Sequence, residues 1–101
     1  MSDKSSVKEM DLPTQKTLMN AAKFAVMDDM PIMLDYWSDS MQNQVFIGIK
    51  DNQDKLLVKS EEEYTSNIKK IFKVDSDYII MTENSIYIVS TAISTRKVSH
   101  M

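Results

Sequence analysis

Two periodicities divide the chain. Leu18, Ala21, Ala22, Ala25 and Val26 recur at helical spacing, with Lys16, Asn20 and Lys23 between them, which predicts an amphipathic helix over about residues 13–28. Asp11 is placed to cap it, and Pro13 is tolerated in a first turn because the N–H it lacks has no intrahelical partner there. Asp28 and Asp29 sit poorly at the negative end of a helix dipole, and the residue before Pro31 is steered away from the α region, so the helix stops there.

Beyond Pro31 the period falls to two. Ile32, Leu34 and Tyr36 alternate with Met33, Asp35 and Trp37, which reads as a strand ended by turn residues at Ser38-Asp39-Ser40. Val45, Ile47 and Ile49 alternate with Phe46, Gly48 and Lys50, and Leu56-Leu57-Val58 answers across a polar break, as a hairpin with a loop of about four residues would. Gly48 is the only glycine, and inside a strand it marks a bulge, a close backbone approach or a tolerated substitution. Ser60-Glu61-Glu62-Glu63 has capping-box spacing, so it forms either one helical turn or a solvated turn. Ile68–Val74, Tyr78–Met81 and Ile86–Ile93 are three further β-rich runs, closely spaced and so expected to pair antiparallel. The last two are apolar on both faces, as mid-sheet strands are when covered on one side by a helix and on the other by sheet curvature, the N-terminal arm or a second copy.

The fold expected is α+β, an N-terminal helix packed on an antiparallel β-meander of about five to six strands, its sheet either open or curled into a small barrel. Residues 1–10 are polar and read as a flexible arm, 11–95 as one domain and 96–101 as a frayed tail. A length of 101 residues suits one domain with one core.

Composition narrows the chemistry. No cysteine is present, which removes disulfides, thiolate catalysis and thiolate-bound metal clusters and fits a reducing, intracellular setting. No apolar run reaches the roughly 20 residues of a membrane span, and no apolar leader core follows the polar start, so neither membrane nor secretion is expected. The net charge is −3, and the acidity belongs to the part before Lys55, a balance that argues against a strong general grip on phosphate backbones. His100 is the only histidine. One glycine supports neither a Walker A loop nor a dinucleotide fingerprint. The carboxylates of Asp28, Asp29, Asp35 and Asp39 match no cation-loop spacing, and helix-end and turn duties explain them. The expectation is a non-enzymatic chain with no cofactor and no metal.

Two surfaces remain. Met27, Met30, Met33, Tyr36 and Trp37 crowd into a short stretch; methionine fills cores but also adapts to partners, and Tyr and Trp anchor interfaces, so these residues are the candidate contact surface for a protein partner or for self-association, a homodimer included. Lys55, Lys59, Lys69, Lys70 and Lys73, with Tyr64 and Phe72 nearby, form the second candidate, a nucleic-acid contact. Their alternative reading is the solvated lysine guard of an edge strand.

Leu18–Ser40 (LMNAAKFAVMDDMPIMLDYWSDS), Leu57–Val74 (LVKSEEEYTSNIKKIFKV) and Tyr78–Thr91 (YIIMTENSIYIVST) resemble blocks in short uncharacterised proteins encoded by nucleocytoplasmic large DNA viruses. The resemblance spans about half the chain and brings no catalytic motif and no site residue. It implies a host-cytoplasm or virion setting and suits an assembly or accessory role. Two expectations follow: a viral structural or accessory protein that works by protein–protein interaction, or a small nucleic-acid-binding domain that uses its lysine-rich sheet face.

Overall fold

The computed structural model describes residues 11–99; the expected N-terminal arm and His100 lie outside that range. Helix α1 spans Gln15–Asp28. Its N-cap is Thr14 rather than Asp11: Thr14 is extended, and its Oγ1 accepts from the N–H of Thr17 at 3.1 Å. Pro13 is buried just before the cap. At the other end Asp29 takes a left-handed φ of 56°, and its N–H donates to the Ala25 carbonyl.

Seven strands follow: β1 (Ile32–Met33), β2 (Phe46–Ile49), β3 (Lys55–Val58), β4 (Ile68–Val74), β5 (Asp77–Thr82), β6 (Ile86–Ser90) and β7 (Ser94–Lys97), with a short helix α2 (Trp37–Met41) after β1. They form two sheets, ordered β1-β6-β5-β4 and β3-β2-β7. The α+β class is therefore observed, with β4-β5-β6 as the antiparallel meander. Three expectations are corrected. There are seven strands rather than five to six; the sheets are mixed, since β1 runs parallel to β6 and β7 parallel to β2; and they stay two separate sheets rather than closing into a barrel.

The layering explains why β5 and β6 are apolar on both faces. On one face Ile79, Met81, Ile86 and Ile88 pack with Ala21, Phe24 and Ala25 of α1. On the other, Ile80 and Val89 meet Ile47 and Leu57 of the second sheet and Val45 just before it. The second cover is thus a sheet from the same chain. Each buried Ile or Leu contributes about 1.5–3 kcal/mol of transfer free energy, and the two cores share β5 and β6 as their common wall.

The strand expected over residues 32–37 stops at Met33. Leu34 and Tyr36 carbonyls accept from the N–H groups of Trp37 and Ser40, turning the chain into α2. Buried Ser40 fixes that turn: its Oγ donates to the Trp37 carbonyl at 2.6 Å and accepts from the Ser90 N–H at 2.9 Å. This hydroxyl bonds the edge of the turn to β6 in place of a strand ladder. The tail expected to fray from residue 96 is also corrected, because Ser94–Lys97 pair with β2 and the Val98 N–H donates to the Ile49 carbonyl. Its side chains are exposed and polar, so backbone pairing rather than an apolar pattern holds it. Gly48 marks a close approach: a Cβ there would lie 3.1 Å from Val58 Cγ2 and 3.2 Å from both Leu56 Cδ2 and Val98 Cγ1. Ser60–Glu63 form a turn, with Ser60 Oγ accepting from the N–H groups of Glu62 and Glu63.

Helix α1 is anchored by a buried polar junction. Asp77, at the start of β5, is 4% exposed. Its Oδ2 accepts from the Thr14 N–H at 3.1 Å and from the buried Thr17 hydroxyl at 2.7 Å. Asp75, in the β4–β5 turn, accepts from the Thr14 hydroxyl at 2.8 Å. Two carboxylates from one hairpin thus meet the positive end of the helix.

Candidate interaction surface

The Met27–Trp37 cluster does not form one surface. Tyr36 and Trp37 are only 3% and 6% exposed, and they feed different cores: Tyr36 packs with the second sheet, Trp37 beneath α1. The Trp37 Nε1–H donates to the Asp11 carbonyl at 2.9 Å, so the indole's polar edge ties down the entry to α1. Met30 is half-buried against the helix-side core and Met33 is half-buried in β1. Only Met27 is presented outward. The two aromatics proposed as interface anchors are core residues, because α2 turns them inward.

Around Tyr36 lies a charged clamp. Lys59 Nζ stands 4.5 Å from the Tyr36 ring centroid and 3.4 Å from carboxylate oxygens of both Asp39 and Glu63. Burial works against the Lys59 charge, but Glu63 and Asp39 outweigh it and hold its pKa above the ordinary lysine value. Tyr36 meets Tyr87 edge to face at 5.0 Å. Both phenols are pushed up, chiefly by burial; Tyr87, Glu63 and Asp35 add to the effect on Tyr36, and Asp35 to that on Tyr87. This cluster joins α2 to the turn after β3 and is a structural clasp.

The remaining lysines scatter. Lys55 is exposed at the start of β3. Lys69, Lys70 and Lys73 are exposed on β4, the edge strand of the four-stranded sheet. An irregularity lies between Ile68 and Lys70, after which Lys70 shares a face with Phe72 and Lys73 shares the opposite one with Ile71. Lys69 lies 3.8 Å from Glu83. The five are therefore not one stripe, and those on β4 sit where edge-guarding lysines sit.

The structure instead exposes an apolar side of α1 that includes Val26, read from the sequence as part of the packed helix face, and Met27, read as a contact residue. Val26 is 83% exposed, Met27 76% and Met19 63%. With Ala22 and Lys23 they line a shallow depression of about 400 Å3 along the outward side of α1. Sheet contact is made by Ala21, Phe24 and Ala25 on the other side. A sequence signal existed: Leu18, Met19, Ala21, Ala22, Phe24, Ala25, Val26 and Met27 are too many apolar residues for one helix face. A second open depression, about 320 Å3, lies beside Lys50, Asp51, Asn52, Val98 and Ser99.

Among the described residues no three His, Asp or Glu side chains gather as metal ligands would, and Asp28, Asp29, Asp35 and Asp39 stay apart in that sense. No helix among them is long and apolar enough to cross a membrane. Comparison with family models, curated proteins and solved structures gives no match.

Proposed function

We propose that this protein is a non-enzymatic interaction or assembly protein that docks a protein partner, or copies of itself, through the outward face of α1. The observation that carries this reading is the exposure of Met19, Val26 and Met27 on one side of a helix whose other side packs on the sheet. Contiguous apolar surface of this kind marks contact sites, and anchors spaced by three, four and seven residues are how a helix enters a partner's groove. Methionine suits such a surface because its unbranched chain repacks against different shapes. The viral resemblance supplies the setting for the proposal: the host cytoplasm or the virion.

The test is differential capture. Tagged wild-type chain and Val26→Glu are expressed in the native cellular context, and bound species, including differently tagged copies of the chain, are compared by mass spectrometry. Species lost with Val26→Glu support the reading, and an identical set for both variants overturns it. A nucleic-acid role is the second reading and draws on the exposed Lys69, Lys70 and Lys73. Lys59 adds little to it, being held by Asp39 and Glu63. Binding to single strands at low salt that falls steeply as salt rises would favour it.

A further inference from the structure

The β4–β5 hairpin fixes which way the backbone of β4 points. Its loop is Asp75-Ser76, closed by the Val74–Asp77 pair, and a two-residue loop is closed by a pair that exchanges hydrogen bonds. The far side of β5 agrees. The Ser90 N–H, opposite Asp77, donates to Ser40 Oγ rather than across the ladder, so the Asp77 backbone groups are turned toward β4. Alternation then pairs Phe72 and Lys70 with β5 and turns the N–H and C=O groups of Ile71 and Lys73 toward the open edge. No backbone group meets them there among the described residues. β4 is also the longest of the seven strands, and such a row of open groups is a template for one more.

The side chains decide which strand fits. Lys70 lies on the face that carries Phe72, and Lys73 on the opposite face with Ile71. Lys69 has Glu83 at 3.8 Å, but neither Lys70 nor Lys73 has a carboxylate within ion-pair distance among the described residues. A second copy of β4 would bring three more lysines to the same edge, so like charge opposes self-pairing. A phosphate backbone would have to reach cations on both faces at once. Phe72, the aromatic that could take a base, is already stacked on Phe24 at 4.6 Å. An added peptide strand meets no such difficulty, because its own side chains alternate between the same two faces.

We infer that the β4 edge binds an extended acidic segment of a partner protein by strand addition, a contact separate from the outward face of α1. Ile71 and Lys73 supply the main-chain hydrogen bonds. Lys70 and Lys73 select carboxylates on the two faces of the incoming strand, and Ile71, 37% exposed, gives it an apolar neighbour. Main-chain bonds thus carry the affinity and charge carries the selectivity. The regular pairing runs only from Lys70 to Val74, beyond the irregularity after Ile68. The contact is therefore small and weak, and it weakens further as salt screens the exposed charges.

The experiment is an NMR titration of the full chain with short synthetic peptides rich in β-branched residues. One carries glutamates on both faces; a second is the same peptide with one central amide on each edge N-methylated; a third has lysine in place of glutamate. The acidic peptide should slow hydrogen exchange at the Ile71 and Lys73 amides, which exchange fast without it, and leave Lys70 and Phe72 unchanged. Binding should fall about tenfold or more for the N-methylated peptide, and likewise for a chain carrying both Lys70→Glu and Lys73→Glu. The lysine peptide should not bind. Thermal melts check that the double variant is folded, and the N-methylated peptide, used on the unaltered chain, decides the matter if it is not. Equal binding of the N-methylated or the lysine peptide overturns the inference, as does no binding by the acidic one or protection that falls on other amides. A single-stranded oligonucleotide that binds through Lys70 and Lys73 more tightly than the acidic peptide overturns it in favour of nucleic acid.

Discussion

Replacing Asp77 by alanine should loosen α1 from the sheet. The carboxylate is buried and accepts from the Thr17 hydroxyl at 2.7 Å and the Thr14 N–H at 3.1 Å. Hydrogen bonds to a charged group are worth about 1.5–3 kcal/mol each. The bond to Thr14 lies near solvent and belongs at the low end, and the Thr17 hydroxyl retains the Val74 carbonyl at 3.3 Å as a fallback. The net loss is therefore about 3 kcal/mol, which for a domain of this size lowers Tm by roughly 12–24 °C. Asp77→Asn keeps an acceptor but not the charge and should lose about 1 kcal/mol. Thr17→Val removes the donor, and in a double-mutant cycle with Asp77→Ala the two should show a coupling of about 1 kcal/mol or more. Urea and thermal unfolding followed by circular dichroism measure the wild type and these four variants. Strictly additive losses, or an Asp77→Ala shift below about 4 °C, would refute the account of this junction as the anchor of the helix.

Ser40→Ala leaves the buried Ser90 N–H without its 2.9 Å acceptor and should lower stability by about 2 kcal/mol in urea unfolding; a loss under about 0.5 kcal/mol would show that the turn holds without the hydroxyl. Gly48→Ala forces side-chain atoms at 3.1–3.2 Å to give way, an overpacking cost of about 1–3 kcal/mol offset by about 0.4–1 kcal/mol from a stiffer unfolded chain. A net loss near 1 kcal/mol is expected for Ala and a larger one for Val, and a stabilised Gly48→Ala would contradict the crowding. The protein should lose stability above about pH 10: the folded state raises the pKa of Tyr36 and Tyr87, so it binds protons that the unfolded chain releases as its tyrosines ionise. Lys59, also raised, acts in the same direction, its contribution present below the ordinary lysine pKa of 10.5 and lost as pH climbs past the folded value. Absorbance titration at the phenolate band, with Tyr36→Phe as control, should show late-titrating tyrosines and a flatter alkaline fall in the variant; simultaneous ionisation of all four tyrosines would count against it.

What the sequence made legible follows from where pattern controls structure. The helix, the β2–β3 hairpin and the β4-β5-β6 meander are local, and their periodicities and turn residues specify them within a few positions. The twofold apolar character of β5 and β6 correctly demanded two covers, but a pattern cannot say that the second cover is another sheet. Parallel pairing of β7 with β2 was invisible because Ser94–Lys97 has no buried side chain to betray it. Tyr36 and Trp37 misled for a definite reason. Their interface character presumed exposure, whereas the hydroxyl of Ser40, bonded to β6, turns the segment into a helix and sends both rings inward. The methionines split by the same logic: Met27 on the open side of α1, Met30 against the helix-side core and Met33 half-buried within β1.

The pairing of β2 also sets an order of assembly. One neighbour, β3, is reached through a short loop, while the other, β7, lies nearly half the chain away. Closing such a distance is slow relative to hairpin formation. During synthesis β2 and β3 can pair long before Ser94–Lys97 are made, leaving the far side of β2 with open N–H and C=O groups. Until β7 arrives, that side can template pairing with other nascent chains. Crowded synthesis at high copy number is therefore the condition under which this protein is most exposed to misassembly, and the exposure ends with its final strand.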